Sequence, residues 1–295
     1  MSIGLITNQI ISGITLGFSY ALVGAGISLI WGTLKMINLA HGELYMLGAY
    51  FAWLAITLGR IPVIPSILIG IVCVVIVSLV IQLTTVRPLL KDTKELGTKP
   101  YVLTMGLSIL LQNSALLIFG ERYQNIPYYI DKTYKFFDGK ITLAGQRVLI
   151  IAASFSVIVA LMVVIKYTKI GRAIRATAQD GVYASVMGVN VRLVYATTYV
   201  ISGLLAAVAG IMLAPIYSVN PWMGTAVQTK GMACCVLGGL GSVEGAILGG
   251  LVIGVAESLT VNIIGTQWKD VVAYLILVAM LWLRPTGLLG KKGSV

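Results

Sequence analysis

The sequence predicts an all-α, polytopic membrane protein with about eight transmembrane helices and additional broken or re-entrant helices. Of its 295 residues, 58% are hydrophobic and only 11% are charged, whereas soluble domains average about 25% charged residues. The apolar residues also form runs close to the ~20 residues that a helix needs to cross the hydrocarbon of a bilayer. We therefore treat residues 1–295 as a single transmembrane domain.

Charged loops, Pro and Gly divide the apolar sequence into the predicted helices. The first run has no positively charged flank before it and no clear cleavage site, so we expect a retained membrane helix and not a signal peptide. Residues 231–259 are interrupted by glycine, and we expect a short piece before Gly241 and a longer piece from about Ala246. The other expected spans are residues 6–30, 38–58, 64–86, 101–119, 148–165, 194–215 and 271–283.

The basic residues orient these helices. Lys and Arg are concentrated in loops 87–99 and 166–192 and in the tail after residue 283, and positively charged loops stay on the cytoplasmic side. The Tyr-rich loop 121–147 and the N-terminus then face outside, although this loop also carries Lys and Arg. A cytoplasmic tail requires the chain to turn back near Gly238 to Gly245, so we expect a re-entrant hairpin there.

Composition and residue spacing argue against a nucleic-acid-binding protein and against a protein built on disulfides or a metal site. The net charge of +11 does not indicate a nucleic-acid partner, because the charges flank apolar runs and form no basic patch with interleaved aromatic residues. The three cysteines lie in apolar runs and have neither the number of a disulfide framework nor the spacing of a metal site. We expect no metal and no catalytic residue in this chain.

The first motif is a polar group at the start of the second predicted span. Asn38, the single histidine His41, and Glu43 stand together in an otherwise apolar segment. Ionisable groups inside a membrane are costly and are usually functional or paired. Two interpretations stay open: the group lines a pathway or fixes a bend, or Asn38 caps the helix while His41 and Glu43 reach the headgroups.

The second motif is a basic, Ala-rich loop between two apolar runs. Alanine favours helix, so residues 171–188 are predicted to be helical. Such a helix can rest on anionic lipid, or it can insert into a groove of a cytoplasmic partner. The candidate docking residues are Gly171, Arg172, Arg175, Ala178, Asp180 and Gly188.

The third motif is a glycine-rich stretch, with candidate residues Gly238, Gly239, Gly241 and Gly245. A phosphate-binding loop of the Walker A type needs a Lys that is absent here, so we expect no nucleotide hydrolysis by this chain. Small residues allow close packing between helices. Helices broken by glycine can also present their ends to a substrate site, and the two roles are compatible.

In this order, the three motifs resemble those of the permease subunits of ATP-binding-cassette importers for branched-chain amino acids. The likeness covers nearly the whole chain, with the second motif similar to the cytoplasmic coupling loop of importers. It implies a bacterial cytoplasmic membrane protein with a second homologous permease, two ATPase subunits that bind and hydrolyse ATP, and an external solute-binding protein. It implies no cofactor on this chain and no nucleic acid.

Three alternatives remain at this stage. Permeases for urea or short-chain amides share the same signatures, so the substrate class stays open. A stand-alone secondary carrier or channel is a second alternative. A carrier is expected to have ion-coupling carboxylates at mid-membrane, whereas the acidic residues here are few and are predicted to lie mostly at helix ends. An intramembrane enzyme using His41 and Glu43 is the third, although it needs more polar groups in one layer.

Overall fold

The computed structural model describes residues 3–90, 98–136 and 141–290 and confirms an all-α, multi-pass membrane protein. Among the described residues, seven helices are long and apolar enough to cross a membrane. They cover Ile6–Leu34, Val63–Leu89, Lys99–Phe119, Gly145–Tyr167, Val191–Leu213, Val243–Ile263 and Thr266–Leu283. Two shorter helices, which begin at His41 and Met223, complete the bundle.

The helix boundaries follow the predicted spans with small shifts. The second helix continues through a π-helical turn, Leu54–Leu58, and the third continues through a similar turn, Gln82–Val86. In chain order the helices are α1 Ile3–Leu34, α2 His41–Trp53, α3 Val63–Ile81, α4 Arg87–Leu89, α5 Lys99–Phe119, α6 Gly145–Tyr167, α7 Lys169–Gln179, α8 Gly181–Val186, α9 Val191–Leu213, α10 Met223–Gly238, α11 Val243–Ile263 and α12 Lys269–Leu283. One antiparallel hairpin, β1 Thr133–Phe136 and β2 Ile141–Ala144, precedes α6.

The helices run between two ends of the bundle. The end that carries α7, α8 and the turn between α10 and α11 is here called the α7 end, and the end that carries β1 and β2 is called the hairpin end. At the α7 end Lys166 pairs with Glu244 at 2.7 Å. At the hairpin end the Arg147 guanidinium donates to the Ser12 hydroxyl.

The described ends of the predicted loops 87–99 and 166–192 lie at the same end of the bundle, as the distribution of Lys and Arg predicts. Arg87 and Arg192 line one cavity beside α8, which places the end of α3 next to the start of α9. Residues 91–97 of the first loop, residues 137–140 of the Tyr-rich loop, and Lys291 and Lys292 of the tail lie outside the described residues.

The centre of the bundle is formed by α1, α9, α10 and α11. Helices α1 and α11 pack antiparallel at close range because small residues face each other. A Cβ atom on Gly17 would lie 2.9 Å from the Cα of Leu251, closer than real contacts allow. By contrast, α5 and α12 sit at the periphery and expose large apolar side chains such as Leu117 and Trp282, which suits helices in contact with lipid.

The glycine-rich stretch has the expected shorter helix before Gly241 and longer helix after it. The chain turns back between Gly238 and Val243, where α10, with 16 residues, meets α11, with 21. The segment is therefore a helical hairpin whose second arm is long enough to span the membrane. Helix α10 begins at Met223 and not near residue 231. Its first turns include the polar residues Gln228 and Lys230, which are buried against other parts of the protein.

Candidate functional sites

Helix α2 begins in the middle of the bundle, and this corrects the interfacial interpretation of the first motif. His41 and Glu43 are both fully buried. The His41 imidazole contacts Ser202, midway along α9, while Glu43 contacts Ser108, near the middle of α5. Neither side chain reaches a headgroup region. Asn38 is not the N-cap of α2: Ala40 occupies that position, and the Asn38 side chain accepts a hydrogen bond from its backbone N–H.

A single amide side chain holds the start of α2 against α10. Gln228 Oε1 accepts from the backbone N–H of Gly42 at 2.8 Å, and Gln228 Nε2 donates to the carbonyl of Asn38 at 2.9 Å. Gly42 permits this approach, because a Cβ there would collide with the carbonyl oxygen of Gly224. Both backbone groups would otherwise be unpaired at the start of a buried helix.

Glu43 is a buried carboxylate with one oxygen occupied. Its Oε1 accepts from the Ser108 hydroxyl at 3.0 Å and from the Thr225 hydroxyl at 3.4 Å. Its Oε2 has no hydrogen-bond partner within the described part of the chain. Thr225 is exposed and Ser108 is half-buried, so the carboxylate lies just beneath a polar seam between α5 and α10. Such a group can coordinate a cation or accept a hydrogen bond from an ammonium group.

The His41 imidazole has a structural arrangement and not that of a catalytic base. The Ser202 hydroxyl lies 3.0 Å from the Gly26 carbonyl oxygen and 3.2 Å from His41 Nδ1. Donation by Ser202 to the carbonyl matches a His41 tautomer with its proton on Nδ1. A base for nucleophilic catalysis must instead accept the proton of its nucleophile. Both residues are completely buried, so neither presents a reactive group at a surface of the structure.

Helix α7 of the second motif is docked against the bundle. The Thr168 side chain caps its start by accepting from the backbone N–H of Gly171 at 3.0 Å. Ile174 packs on Leu29 of α1 and Val194 of α9. Arg172 points outward, and the Arg175 guanidinium donates to the carbonyl of Ile165 at the end of α6. Helix α7 is therefore amphipathic, and its apolar side packs against α1 and α9.

Helix α8 presents an apolar surface that the bundle leaves uncovered. Asp180 begins it by accepting from the backbone N–H groups of Val182 and Tyr183 at 2.8 and 3.0 Å. Gly188 ends it with φ +86°, a left-handed conformation that closes a helix terminus. Four apolar residues, here called the α8 patch, are more than 70% exposed: Val182, Tyr183, Val186 and Met187.

The glycine turn between α10 and α11 is closed by the chain's own tail. The carbonyl groups of Leu237 and Gly238 accept from the backbone N–H groups of Leu288 and Leu289, each at 2.9 Å. Gly239 and Gly241 have positive φ values of +104° and +83°, and Gly245 packs against Gly238. The turn lies at the α7 end, beside Gly32 of α1, and not at a substrate site in the middle of the membrane.

The structure brings the second and third motifs together and keeps the first apart. Arg175 and Ala178 of α7 line a cavity of about 320 Å³ that Gly241 and Glu244 also line. Helix α7 and the glycine turn are thus direct neighbours. The Asn38, His41 and Glu43 group lies deeper in the bundle, next to α5, α9 and α10.

The sequence reasoning missed a buried ion pair. Lys230 Nζ lies 2.6 Å from Glu257 Oε1 and 2.9 Å from Asp270 Oδ1. Glu257 is only 3% exposed and lies within α11, whereas the sequence predicted that most acidic residues lie at helix ends. The signal in the sequence was a lone Lys in one apolar run and a lone Glu in the next.

This ion pair forms the floor of an amphipathic cavity near the hairpin end, with a volume of about 450 Å³. Tyr20, Tyr45 and Tyr217 contribute phenol groups to its wall. Burial, together with the charge of Glu257, raises the pKa of the Tyr217 phenol, so this phenol remains a hydrogen-bond donor at neutral pH.

The chain is similar in sequence to transport permeases along almost its whole length. A family model described as branched-chain amino acid transport system / permease component matches residues 9–281. The high-affinity branched-chain amino acid transport system permease protein BraD of Pseudomonas aeruginosa is 35% identical, with 96% of this chain and 95% of that protein covered. LivH of Escherichia coli, with the same description, is also 35% identical, over 96% of this chain and 95% of its own.

A solved structure shows a similar fold at much lower sequence identity. The structure of PsaBC from Streptococcus pneumoniae in complex with Fab superposes with a TM-score of 0.53 and 14% identity, covering 96% of this chain and 92% of that one. Its likeness concerns the arrangement of helices alone.

Proposed function

Because the chain belongs to the family of branched-chain amino acid transport system permease components, we propose that it is the membrane permease subunit of an ATP-driven importer for branched-chain amino acids. It lies in the bacterial cytoplasmic membrane. Its partners are a second homologous permease, two cytoplasmic ATPase subunits and an external solute-binding protein. ATP is bound and hydrolysed by the ATPases, and the permease requires neither a cofactor nor a nucleic acid of its own.

The α8 patch is the observation that carries this proposal. Four apolar side chains, each mostly exposed, stand on a short helix that is capped by Asp180 at one end and Gly188 at the other. Contiguous exposed apolar surface marks sites of interaction, and a short helix with such a surface suits a groove in a partner domain. The partner is the ATPase, so the α7 end is cytoplasmic and the hairpin end receives the binding protein.

The position of α7 gives a route for coupling. ATP-driven closure of the ATPases moves the α8 patch and, through the Asp180 junction, moves α7. Helix α7 contacts α1 and α9 and shares a cavity with the glycine turn. Displacement of this rigid unit tilts α1, α10 and α11 together, which is the kind of packed-helix movement that alternates access between two sides.

Glu43 and the seam above it form part of the pathway. Thr225 is exposed on α10, and Ser108 is half-buried on α5, although both lie in an apolar bundle. Polar groups at membrane depth face a water-filled path or another subunit and not lipid. The seam therefore faces the second permease, with Asn38, His41 and Glu43 fixing the bend at which α2 begins.

The function is tested by uptake of radiolabelled isoleucine in cells that lack the chain and its homologues. We expect uptake to return when the chain is expressed with its second permease, ATPases and binding protein, and to require all of them. Excess leucine should compete, whereas excess urea or acetamide should not. Uptake that persists without the ATPases would support a stand-alone carrier, and competition by acetamide would support the amide alternative.

A further inference from the structure

The cavity near the hairpin end combines an apolar wall with a charged floor. Lys230 and Glu257 form the floor, where both side chains are almost completely buried. Lys269 and Asn220 also line the cavity. The apolar side chains in its lining are Leu16, Leu213, Met223 and Val227. A volume of about 450 Å³ lies within the 300–1,000 Å³ range of small-molecule sites.

Among the described residues, the floor of the cavity leaves one carboxylate oxygen without a hydrogen-bond donor. The Lys230 ammonium contacts the carboxylates of both Glu257 and Asp270, and it also donates to the Tyr20 hydroxyl at 3.3 Å. One positive charge is thus shared between two negative charges. Glu257 Oε2 is buried and accepts no hydrogen bond from any residue that the structure describes. An unpaired carboxylate oxygen in such a place is costly unless a donor reaches it.

We propose that this cavity is an outward-facing binding site for the transported amino acid, in which Glu257 Oε2 accepts the α-ammonium group and the apolar wall holds the side chain. The proposal rests on the proposed function and deepens it by assigning the residues that recognise substrate. An ammonium group supplies the donor that Glu257 Oε2 lacks within the described part of the chain. Lys269 lines the same cavity and can bind the carboxylate of the zwitterion. The Asn220 amide also lines it, and its Nδ2 donates to the Ser218 carbonyl with one N–H, which leaves the second N–H for the substrate carboxylate.

The same lining determines which solutes fit. An apolar side chain contacts Leu213, Met223 and Val227, and about 25 cal/mol is gained for each Å² of apolar surface removed from water. A urea or short amide has no ammonium group to satisfy Glu257 and little apolar surface to bury. An uncharged polar solute therefore leaves the floor of the cavity unpaired.

The test measures binding directly, without the solute-binding protein. The permease pair with its ATPases is placed in lipid nanodiscs, and binding of radiolabelled isoleucine is measured by scintillation proximity. Glu257→Gln is expected to weaken isoleucine binding by about tenfold or more, since it removes a charge-assisted hydrogen bond. Asp131→Asn is the control, because it removes a negative charge from an exposed position in the loop of the hairpin end. The affinity of the Asp131→Asn variant for isoleucine should stay within about twofold of the wild-type affinity.

An analogue separates the ammonium contact from the rest of the site. The 2-oxo acid with the carbon skeleton of isoleucine lacks the ammonium group, so we expect it not to compete for the wild-type site. Met223→Trp fills the cavity without changing a charge and should abolish isoleucine binding. It tests the site independently if the Glu257→Gln variant does not fold. Equal competition by the oxo acid, or full binding by Met223→Trp, would overturn the proposal.

The outcomes also distinguish this proposal from the proposed function. Normal isoleucine uptake by cells that carry Met223→Trp, with unchanged binding in nanodiscs, would leave the importer function intact and remove the site. Conversely, isoleucine binding that depends on Glu257 in a complex that fails to transport isoleucine would support the site and reject the function.

Discussion

Gln228 Oε1 accepts a hydrogen bond from the backbone N–H of Gly42, with an N···O distance of 2.8 Å, although the two residues are 186 positions apart in the chain. With its second bond to the carbonyl of Asn38, this side chain pairs two backbone groups at the start of α2. Gln228→Leu should therefore destabilise the complex by roughly 2–4 kcal/mol, because two buried backbone groups lose their partners. Thermal unfolding of the purified complex measures the change. Thr84→Val is the control, since Thr84 is exposed and bonds only to its own helix.

The packing of α10 on α11 predicts an intolerance to any side chain at Gly238. A Cβ there would collide with the backbone of Gly245, so Gly238→Ala should cost about 1–3 kcal/mol or more through overpacking. Gly106→Ala is the matched control, because no atom lies within 4 Å of a Cβ at that position. A lower melting temperature is expected for the first variant only, and equal values would contradict the close approach.

Gly241 differs from Gly238 in the reason for its sensitivity. A Cβ there would meet Gly32 Cα at 3.5 Å, which is an ordinary contact, but φ is +83°. At Gly241 the cost of any side chain therefore comes first from the backbone conformation, at about 1–2 kcal/mol. Gly241→Asn should be tolerated better than Gly241→Val in uptake assays, because Asn adopts left-handed conformations more readily. Equal loss in both variants would indicate a steric cause.

The α8 patch predicts a defect in assembly when it becomes charged. Tyr183→Asp with Met187→Asp should reduce copurification of the ATPases by tenfold or more, while the permease remains in the membrane, because both side chains are exposed and support no packing. Leu275→Asn on α12, which is also exposed, is the control and should retain the ATPases. Normal copurification by the α8 variant would reject the docking surface.

Two cap positions test the same surface more gently. Asp180→Ala removes two hydrogen bonds at the start of α8 and should weaken this helix by about 1 kcal/mol. A bulky residue at Gly188 forces a side chain into φ +86°. Both variants should reduce isoleucine uptake without loss of chain from the membrane, as measured in cells by transport and immunoblot. Wild-type uptake by both would show that the shape of α8 is unimportant for coupling.

The position of Glu43 predicts that transport requires its negative charge. Glu43→Gln can still accept from Ser108 and Thr225, so the fold should be preserved while the negative charge is lost. We expect the uptake rate to fall by roughly tenfold, the scale of one charge-assisted hydrogen bond. Thr225→Val, which removes only the 3.4 Å bond, should have a smaller effect. Full transport by the Glu43→Gln variant would show that Glu43 acts only as a hydrogen-bond acceptor that supports the fold.

Orientation is tested with single cysteines and an impermeant thiol reagent on intact cells. Lys132→Cys, exposed at the hairpin end, should react from outside, and Gln124→Cys should react more slowly because it is half-buried. Ser185→Cys on α8 should react only after lysis. A background of Cys73→Ser removes the native thiol that is partly exposed. The reverse pattern would invert the topology.

The sequence by itself determined the features that depend on local composition. The apolar runs at 6–30 and 148–165 and the Ala-rich loop each gave the correct element, because hydropathy and helix propensity are properties of neighbouring residues. The break near Gly239 was also predicted, since its positive φ is a local requirement. The resemblance to importer permeases came from motifs that are likewise short.

Only the tertiary structure decided where these elements meet. The pairing of Lys230 with Glu257 and Asp270, the bonds from Gln228 to the start of α2, and the tail that closes the glycine turn join residues far apart in the chain. A buried polar group must find a partner wherever the packing supplies one. Hydropathy places Glu43 and Glu257 in apolar runs, but burial and partners depend on which helices surround them, and no local pattern encodes that.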